Sequence, residues 1–201
     1  MNGEPLKATK AALRKRAYAA RAAQPDKEQV SAQAIERLTA LPEYERADVV
    51  MWYLDCRNEL RTRGAIPAAL AGGKTIVVPY CTVDDRGVNA LGLWRLEGLD
   101  EMVSGKWQIL EPPKARWNES DRTIEPRALD FIMVPGVAFD RQGGRLGNGQ
   151  GYYDRLMAQV RRDTMLAGIC FESQVFDKIP LAAHDVRVPK VVTEQAVYIS
   201  W

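Results

Sequence analysis

The chain has few of the residues on which much common enzyme chemistry depends. Its 201 residues include one histidine and three cysteines. With His184 as the single histidine, sites in which several histidines bind a metal are excluded, and a serine hydrolase triad would depend on that residue alone. Cys56, Cys81 and Cys170 stand far apart without a C-x-x-C pair. This spacing argues against a disulfide framework and a cysteine zinc site, and it fits a reducing compartment.

The chain also lacks a long apolar segment. The longest uncharged, largely apolar run covers residues 131–139 and includes Pro135 and Gly136, whereas a membrane-spanning helix needs about 20 residues. The first residues do not contain the apolar stretch of a secretory signal. We therefore expect a cytoplasmic protein that has no membrane partner.

Positive charge is local rather than global. Lys and Arg number 28 and Asp and Glu number 26, so the net charge of +2 gives no general reason to expect a nucleic-acid partner. Residues 1–24 nevertheless carry six Lys or Arg side chains and one acid, Glu4. An RNA-associated role for this segment is an open alternative. Because no basic motif interleaved with aromatic residues accompanies it, we expect no nucleic-acid partner.

An Ala-rich opening predicts two helices. Residues 4–23 contain neither Gly nor Pro after Pro5, which is typical of a helix. A second helix is predicted over roughly residues 27–40. Asp26 is expected to cap it, and Pro42 is expected to stop it.

From residue 49 the pattern changes to short apolar strands that alternate with helices. This alternation predicts an α/β fold: a three-layer α/β/α sandwich of the Rossmann-like class, with a mostly parallel sheet between two helical layers. We expect a single domain over residues 1–201, with a helical pair over 1–46 packed on the sheet. The predicted strands cover residues 49–54, 75–80, 131–134, 165–171 and 191–199, the predicted helices cover 59–71 and 152–160, and a β-hairpin followed by a long loop is expected within 84–128.

The most informative segment is rich in glycine. Six glycines occur within residues 136–151, and Gly147, Gly149 and Gly151 alternate directly before a predicted helix. Glycines let backbone N–H groups approach an anion, and a helix N-terminus adds partial positive charge. The G-x-G-x-G spacing matches neither the dinucleotide fingerprint nor the Walker loop. We favour phosphate binding, with a flexible exposed turn as the alternative.

Charged residues along the chain fit a polyphosphate at this segment. Arg145 and Arg155 flank it, and Asp154 in the first turn of the following helix could hold a divalent cation. Lys10 and Arg14 lie one helical turn apart, where like charges repel each other unless an anion lies between them. A solvated helix face is the alternative explanation for that pair.

Polar residues after the first predicted strand form a second candidate site. Ligands of open α/β sheets bind beyond the carboxyl ends of the strands, and residues 54–62 follow such an end. Glu59 could accept two hydrogen bonds from an aminopyrimidine-like group, or it could serve as a helix cap. Trp107 could stack on a planar ligand or cover the core. Cys56 has no visible activating base, so we do not expect it to be a nucleophile.

Together these segments resemble the 5-formyltetrahydrofolate cyclo-ligase family, also called methenyltetrahydrofolate synthetases. The resemblance spans nearly the whole chain and rests on K-x-x-L-R at residues 10–14, G-K-W-Q-I-L-E-P at 105–112, V-P-G-V-A-F-D at 134–140 and R-L-G-N-G-Q-G-Y-Y-D at 145–154. It implies an ATP-dependent ligase that converts 5-formyltetrahydrofolate to 5,10-methenyltetrahydrofolate with Mg²⁺ and releases ADP and phosphate. A non-catalytic relative that binds nucleotide or folate is the alternative.

The resemblance also implies roles for individual residues. Lys10, Arg14, Arg145 and Asp154 would be catalytic, and Asp154 would be the magnesium ligand. ATP would contact Lys10, Arg14, Arg145, Leu146, Gly147, Asn148, Gly149, Gln150, Gly151, Tyr152 and Tyr153. The folate would contact Leu54, Glu59, Trp107, Asn148, Gly149, Gln150, Gly151 and Tyr152. We expect a monomer whose partners are these two small molecules.

One position departs from the family pattern. The family usually carries His-Asp-x-x-x-Asp near the C-terminus, and its last Asp is a second metal carboxylate. Residues 184–189 read His-Asp-Val-Arg-Val-Pro in this chain, and the side chain of Pro189 cannot bind a metal. Either Asp185, a water or another acid replaces this ligand, or Mg²⁺ affinity and turnover are reduced.

Overall fold

The described part of the chain comprises residues 3–105, 108–182 and 185–200 of a computed structural model. Trp107 and His184, both considered in the sequence analysis, lie outside these ranges. Within the ranges, no helix has both the length and the apolar character needed to cross a membrane.

The described residues form five α-helices and twelve strands, besides short 3-10 helices. The helices are α1 Gly3–Ala23, α2 Lys27–Thr39, α3 Pro42–Arg46, α4 Ile66–Ala71 and α5 Tyr152–Met157. The strands are β1 Val49–Met51, β2 Thr75–Val83, β3 Asn89–Arg95, β4 Val103–Ser104, β5 Leu110–Glu111, β6 Phe131–Pro135, β7 Ala138–Asp140, β8 Arg145–Leu146, β9 Met165–Ile169, β10 Val175–Phe176, β11 Lys190–Val192 and β12 Val197–Ile199.

A seven-stranded sheet in the order β12-β11-β9-β6-β1-β2-β3 organises the fold. The five inner strands are parallel, and an antiparallel strand closes each edge. Parallel strands connected through helices leave their carboxyl ends at one edge of the sheet. That edge is where β1 leads into residues 54–62.

Alternate strand residues face two separate cores. On β1, Val50 packs in a cluster that includes Leu38 of α2, whereas Met51 packs in a cluster that includes Leu156 of α5. This is the two-residue period of a strand that is covered on both faces. The predicted three-layer α/β architecture with a mostly parallel sheet is confirmed.

The last predicted strand is two strands. The sequence analysis expected one strand over residues 191–199, but β11 and β12 pair antiparallel around a tight turn. The hydroxyl of Thr193 accepts the backbone N–H groups of Gln195 and Ala196 at 3.1 and 3.0 Å, and the Thr193 N–H donates to the Ala196 carbonyl at 2.9 Å. Hydrogen bonds from a threonine hydroxyl to nearby backbone stabilise such turns.

The predicted extent of α2, roughly residues 27–40, is confirmed, but the roles expected of Asp26 and Pro42 need correction. Asp26 adopts left-handed dihedral angles, with φ 47 and ψ 41, and its side chain makes no capping hydrogen bond. The prediction that it caps α2 was wrong. Helix α2 ends at Thr39, and Pro42 begins α3, because the fixed φ of proline suits the first turn of a helix.

A three-stranded sheet in the order β10-β7-β8 lies outside the main sheet and leads into the glycine-rich segment. Helix α1 packs on it through Leu13 and Ala17, which are buried in one cluster with Val137 and Leu146. The apolar side of α1 thereby fixes the helix next to the residues that follow β8.

Gly168 on β9 of the main sheet provides a test of how closely Phe139 of β7 packs against that strand. A Cβ at Gly168 would lie 2.5 Å from Cε1 of the buried Phe139 ring. We expect Gly168→Ala to lower the free energy of unfolding by about 1–3 kcal/mol, because a packed core cannot absorb the methyl group without strain. Urea unfolding measures the difference. Gly64→Ala is the control, since a Cβ there meets nothing within 4 Å; equal stability of the two variants would contradict the packing.

Candidate active site

One face of α1 carries a row of four polar residues. Lys10, Arg14, Tyr18 and Arg21 follow one another at intervals of three or four, which places them on one side of a helix. We call these four residues the polar row of α1. Each has a partner in a segment far away in sequence.

The glycine-rich loop, residues 147–151, lies against three guanidinium groups. Gly149 and Gly151 have φ values of 91 and 70, which other residues rarely adopt. Side chains at the glycine positions would also meet the guanidinium groups. Cβ atoms added at Gly147, Gly149 and Gly151 would stand 3.0, 3.3 and 2.6 Å from guanidinium nitrogens of Arg145, Arg14 and Arg155, respectively.

The polar row of α1 bonds directly to this loop. Arg14 Nε donates to the carbonyl oxygen of Gly147 at 2.9 Å, and the Tyr18 hydroxyl donates to Oδ1 of Asn148 at 2.5 Å. The Gly147 carbonyl is a neutral hydrogen-bond acceptor, so this bond leaves the positive charge of Arg14 available to an anion at the loop. Sequence reasoning singled out Arg14 and Asn148 but missed Tyr18.

Arg145 is enclosed beneath the loop. Its side chain is 4% exposed, and one of its terminal nitrogens donates to Asp154 Oδ1 at 2.8 Å. The Asp154 side chain is 22% exposed. Arg145 was expected to neutralise a ligand, and Asp154 was expected to hold the metal. The hydrogen bond between them means that Arg145 also orients the Asp154 carboxylate.

Arg155 ties the loop to the β2–β3 hairpin. Its Nε donates to the Asn89 carbonyl at 2.6 Å, and a terminal nitrogen donates to the Gln150 carbonyl at 2.6 Å. Asn89 also lies 3.4 Å from the Gln150 side chain. Helix α5, predicted over residues 152–160, ends at Met157. Because α5 is only six residues long, positive charge at the loop comes chiefly from the arginines rather than from a helix dipole.

Lys10 forms an ion pair with Asp185, and both side chains are largely buried. Asp185 also accepts the backbone N–H of Ala182 at 2.7 Å. Pro189 has a structural role, since its carbonyl accepts the N–H of Ser200 at 2.9 Å. In the ranges that the structure describes, no group of three or more His, Cys, Asp or Glu side chains is placed to hold a metal ion.

Glu59 lies beyond the end of β1 in a site with little exposure. Its side chain is 16% exposed, and its Oε2 accepts the N–H of Cys56 at 3.1 Å and the Cys56 thiol at 3.5 Å. Arg21 Nη1 stands 3.5 Å from Oε1, with only 8% of the Arg21 side chain exposed. Burial raises the pKa of Glu59, and the charge of Arg21 opposes that shift.

The environment of Cys56 favours the protonated thiol. Burial and the neighbouring Glu59 carboxylate raise the pKa of its thiol to about 11. A thiol of this pKa carries almost no thiolate at neutral pH, and the thiolate is the reactive form.

Of the remaining candidate ligand-binding residues, Leu54 and Tyr153 contact the two cores and Tyr152 lies beside the glycine-rich loop. Leu54 is buried in the core cluster that includes α2. Tyr153 packs against the opposite core, and burial raises the pKa of its hydroxyl, with a smaller contribution from Glu59. Tyr152 lies under Arg155, with the guanidinium carbon 5.8 Å from its ring centroid.

Arg21 and Tyr18 were the main residues to which the sequence analysis gave no role. The signal for them was the helical spacing, since both continue the face that Lys10 and Arg14 begin. The spacing could not predict which segments lie opposite this face. The structure shows that they are residues 147–151 and Glu59.

Comparison with known families identifies related proteins along most of the chain. A model of the 5-formyltetrahydrofolate cyclo-ligase family matches residues 6–194. The 5-formyltetrahydrofolate cyclo-ligase of Escherichia coli K12 is 31% identical over 181 residues, which cover 89% of this chain and 96% of the relative. A probable 5-formyltetrahydrofolate cyclo-ligase of Schizosaccharomyces pombe is 31% identical over 177 residues, which cover 81% and 82%.

A solved structure shares the fold. The NMR structure of Aquifex aeolicus 5,10-methenyltetrahydrofolate synthetase superposes with a TM-score of 0.78 at 33% sequence identity. The match covers 94% of this chain and 92% of that chain. The range matched by the family model, residues 6–194, contains both the polar row of α1 and the glycine-rich loop.

Arg14→Ala tests whether the polar row supplies charge to an anion. We expect ATP binding to weaken about tenfold or more, because a charge-assisted hydrogen bond to a phosphate is lost. Isothermal titration calorimetry measures the affinity, and thermal unfolding checks the fold. Lys15→Ala, an exposed change one residue away on α1, is the control. A large fall in melting temperature with unchanged ATP affinity would contradict this role.

Proposed function

The chain belongs to the 5-formyltetrahydrofolate cyclo-ligase family, and from this premise we propose that it converts 5-formyltetrahydrofolate to 5,10-methenyltetrahydrofolate with consumption of ATP. The observation that supports the proposal is that one face of α1 contacts both the glycine-rich loop and Glu59. Arg14 bonds the glycine-rich loop at Gly147, and Arg21 faces the buried carboxylate of Glu59. A cationic glycine loop suits phosphates, and a buried carboxylate suits an aminopyrimidine ring.

ATP is proposed to bind at the glycine-rich loop. Lys10 and Arg14 would face its phosphates from α1, and backbone N–H groups of residues 145–153 would face them from the loop. Arg145 would contribute its charge from beneath. The close approach of three guanidinium groups to the glycines supports this assignment, because phosphate oxygens need donors and positive charge at short range.

The folate is proposed to bind between this loop and Glu59. Glu59 would accept two hydrogen bonds from the aminopyrimidine edge of the pterin, with Leu54 and Trp107 as apolar contacts. Residues 148–152 would lie between the folate and ATP. The Cys56 N–H and thiol already bond one Glu59 oxygen, which fixes the direction of the carboxylate.

The proposed reaction uses nucleophiles that belong to the folate. The N5-formyl oxygen attacks the γ-phosphorus of ATP, so that an O–P bond forms, the bond to the β-phosphate oxygen breaks and ADP leaves. N10 then attacks the activated formyl carbon and loses its proton. The C–O bond breaks with departure of phosphate, which leaves the methenyl bridge. The protein supplies orientation and positive charge, in keeping with a Cys56 thiol whose pKa is raised to about 11.

Magnesium is proposed to bind through Asp154 together with the ATP phosphates. Mg²⁺ at nucleotide sites commonly takes one or two carboxylates and completes its coordination with phosphate oxygens and water, so a single carboxylate beside the loop fits. When bound, the ion would neutralise charge on the phosphates. Arg145, bonded to Asp154 Oδ1 at 2.8 Å, would hold the carboxylate in place.

We also propose a single-domain monomer that acts on these two small molecules in the cytoplasm. The packing of Leu13 and Ala17 against the small sheet supports the docking of the N-terminal helices on the rest of the fold. A relative from Arabidopsis thaliana is named as mitochondrial, so fractionation of the source cells is the test of location.

The reaction itself is tested by mixing the purified protein with 5-formyltetrahydrofolate, ATP and Mg²⁺ and following the absorbance of the methenyl product. We expect this absorbance to increase only when ATP is present, with one ADP formed for each molecule of methenyl product. Binding of ATP and folate without turnover would instead indicate the non-catalytic relative.

Asp154→Asn tests the metal assignment. We expect the variant to require a higher Mg²⁺ concentration for half-maximal turnover, because the carboxylate charge that attracts the ion is removed. A Mg²⁺ titration of the initial rate measures this. Asp121→Asn, an exposed change on the surface, is the matched control. Unchanged activity and Mg²⁺ dependence in Asp154→Asn would refute the assignment.

Pro189→Asp asks whether the missing second carboxylate matters. If the chain is limited by one metal ligand, this substitution lowers the Mg²⁺ concentration needed for turnover. An unchanged Mg²⁺ dependence would show that other groups already complete the coordination. Because the backbone carbonyl of Pro189 bonds Ser200, thermal unfolding is the necessary check of folding.

A further inference from the structure

The family resemblance assigns no role to Arg21, the last residue of the polar row of α1. Arg21 lies about three helical turns from Lys10 on the site-facing side of α1. Its side chain is 8% exposed, and its charged end stands 3.5 Å from the Glu59 carboxylate. A guanidinium is seldom buried without a partner that uses its charge. Here that partner is the carboxylate proposed to recognise the pterin.

We propose that Arg21 is a positioning residue for folate: it keeps the Glu59 carboxylate charged and oriented, so that this carboxylate can accept both hydrogen bonds from the aminopyrimidine ring. The inference rests on the proposed function, because it takes Glu59 as the pterin ligand. The inference gives a specific role to Arg21, which the helical spacing alone only places on the same face as Lys10 and Arg14.

The surroundings of Glu59 explain why a cation is required. Burial and the nearby Asp55 carboxylate favour the protonated form of Glu59, whereas Arg21 favours the charged form. Of the other titratable neighbours, Cys56 is a thiol with a raised pKa, and the Tyr53 and Tyr153 hydroxyls also have raised pKa values. These three groups are therefore uncharged at neutral pH. Arg21 supplies the positive charge that offsets burial of the carboxylate.

An unused donor on Arg21 also points to a ligand. Its Nε atom is buried and has no hydrogen-bond partner among the residues that the structure describes. Buried N–H donors are usually satisfied. The pterin ring carries a carbonyl oxygen and the unprotonated ring nitrogen N1 as acceptors beside its amino group, and we expect one of these acceptors to receive the free Arg21 N–H.

Arg21 is also connected to the phosphate side of the site. Its guanidinium carbon lies 5.3 Å from the centroid of the Tyr18 ring, and the Tyr18 hydroxyl bonds Asn148 in the glycine-rich loop. The stacked pair Tyr18 and Arg21 thus spans from the loop to Glu59. The pair therefore links the two proposed subsites along one face of α1.

The experiment compares Arg21→Gln, Arg21→Lys and Lys15→Ala in steady-state kinetics with folate and ATP varied separately. For Arg21→Gln we expect the KM for 5-formyltetrahydrofolate to rise about tenfold, while the KM for ATP stays near the wild-type value. Lys15→Ala, the exposed control on α1, should change neither. Equal rises in both KM values would indicate general damage to α1 and overturn the proposal.

The pH profile separates positioning from packing. Folate recognition needs charged Glu59, so kcat/KM for folate falls as pH falls through the Glu59 pKa. Without the Arg21 charge that pKa is higher, so the fall occurs at higher pH in Arg21→Gln. Arg21→Lys retains the charge and should keep the wild-type profile. If Arg21→Gln does not fold, Arg21→Lys provides the test. A shift of its pH profile of kcat/KM for folate away from that of the wild type would overturn the proposal.

A double-mutant cycle isolates the pair. In a Glu59→Gln background there is no carboxylate to hold, so Arg21→Gln should change the folate KM far less than it does in the wild type. Full additivity of the two substitutions would overturn the proposal. Failure of the proposed function looks different, because the wild-type protein would then form no methenyl product at all.

Discussion

The structure depends on close contact between glycines and arginine guanidinium groups. At Gly147, Gly149 and Gly151 an added Cβ would stand within 3.3 Å of a guanidinium nitrogen. The glycines therefore permit a loop that is simultaneously open to a ligand and held by cations from three different segments. One of these cations, Arg14, comes from α1, so the shape of the loop depends on how that helix docks through Leu13 and its neighbours on the small sheet.

Helix α1 consequently lies along both of the proposed subsites. Its polar row reaches the loop through Arg14 and Tyr18 and reaches Glu59 through Arg21. This arrangement suits a reaction in which both nucleophiles belong to the substrate. The protein has to bring a phosphate and a formyl group together and to stabilise charge as it moves, and rigid placement of cations on a single helix achieves both.

Much of this could be predicted from sequence, because periodicity reports which face of an element is buried. The alternation of short apolar strands with helices from residue 49 was sufficient to predict the layered fold. The spacing of Lys10 and Arg14 was sufficient to predict a cationic helix face. Contacts between distant segments leave no such local signal. The ion pair of Arg21 with Glu59 exists only because the sheet brings the end of β1 beside α1. The turn at Thr193 depends on side-chain hydrogen bonds that strand propensity does not represent.

The most direct measurement is a crystal structure of the protein with 5-formyltetrahydrofolate and a non-hydrolysable ATP analogue. The account predicts that the phosphates contact the backbone of residues 147–151 with Lys10 and Arg14 beside them. It also predicts that the pterin edge bonds Glu59 while Arg21 remains at that carboxylate. Phosphates bound away from the glycine-rich loop, or a pterin that does not contact Glu59, would contradict it.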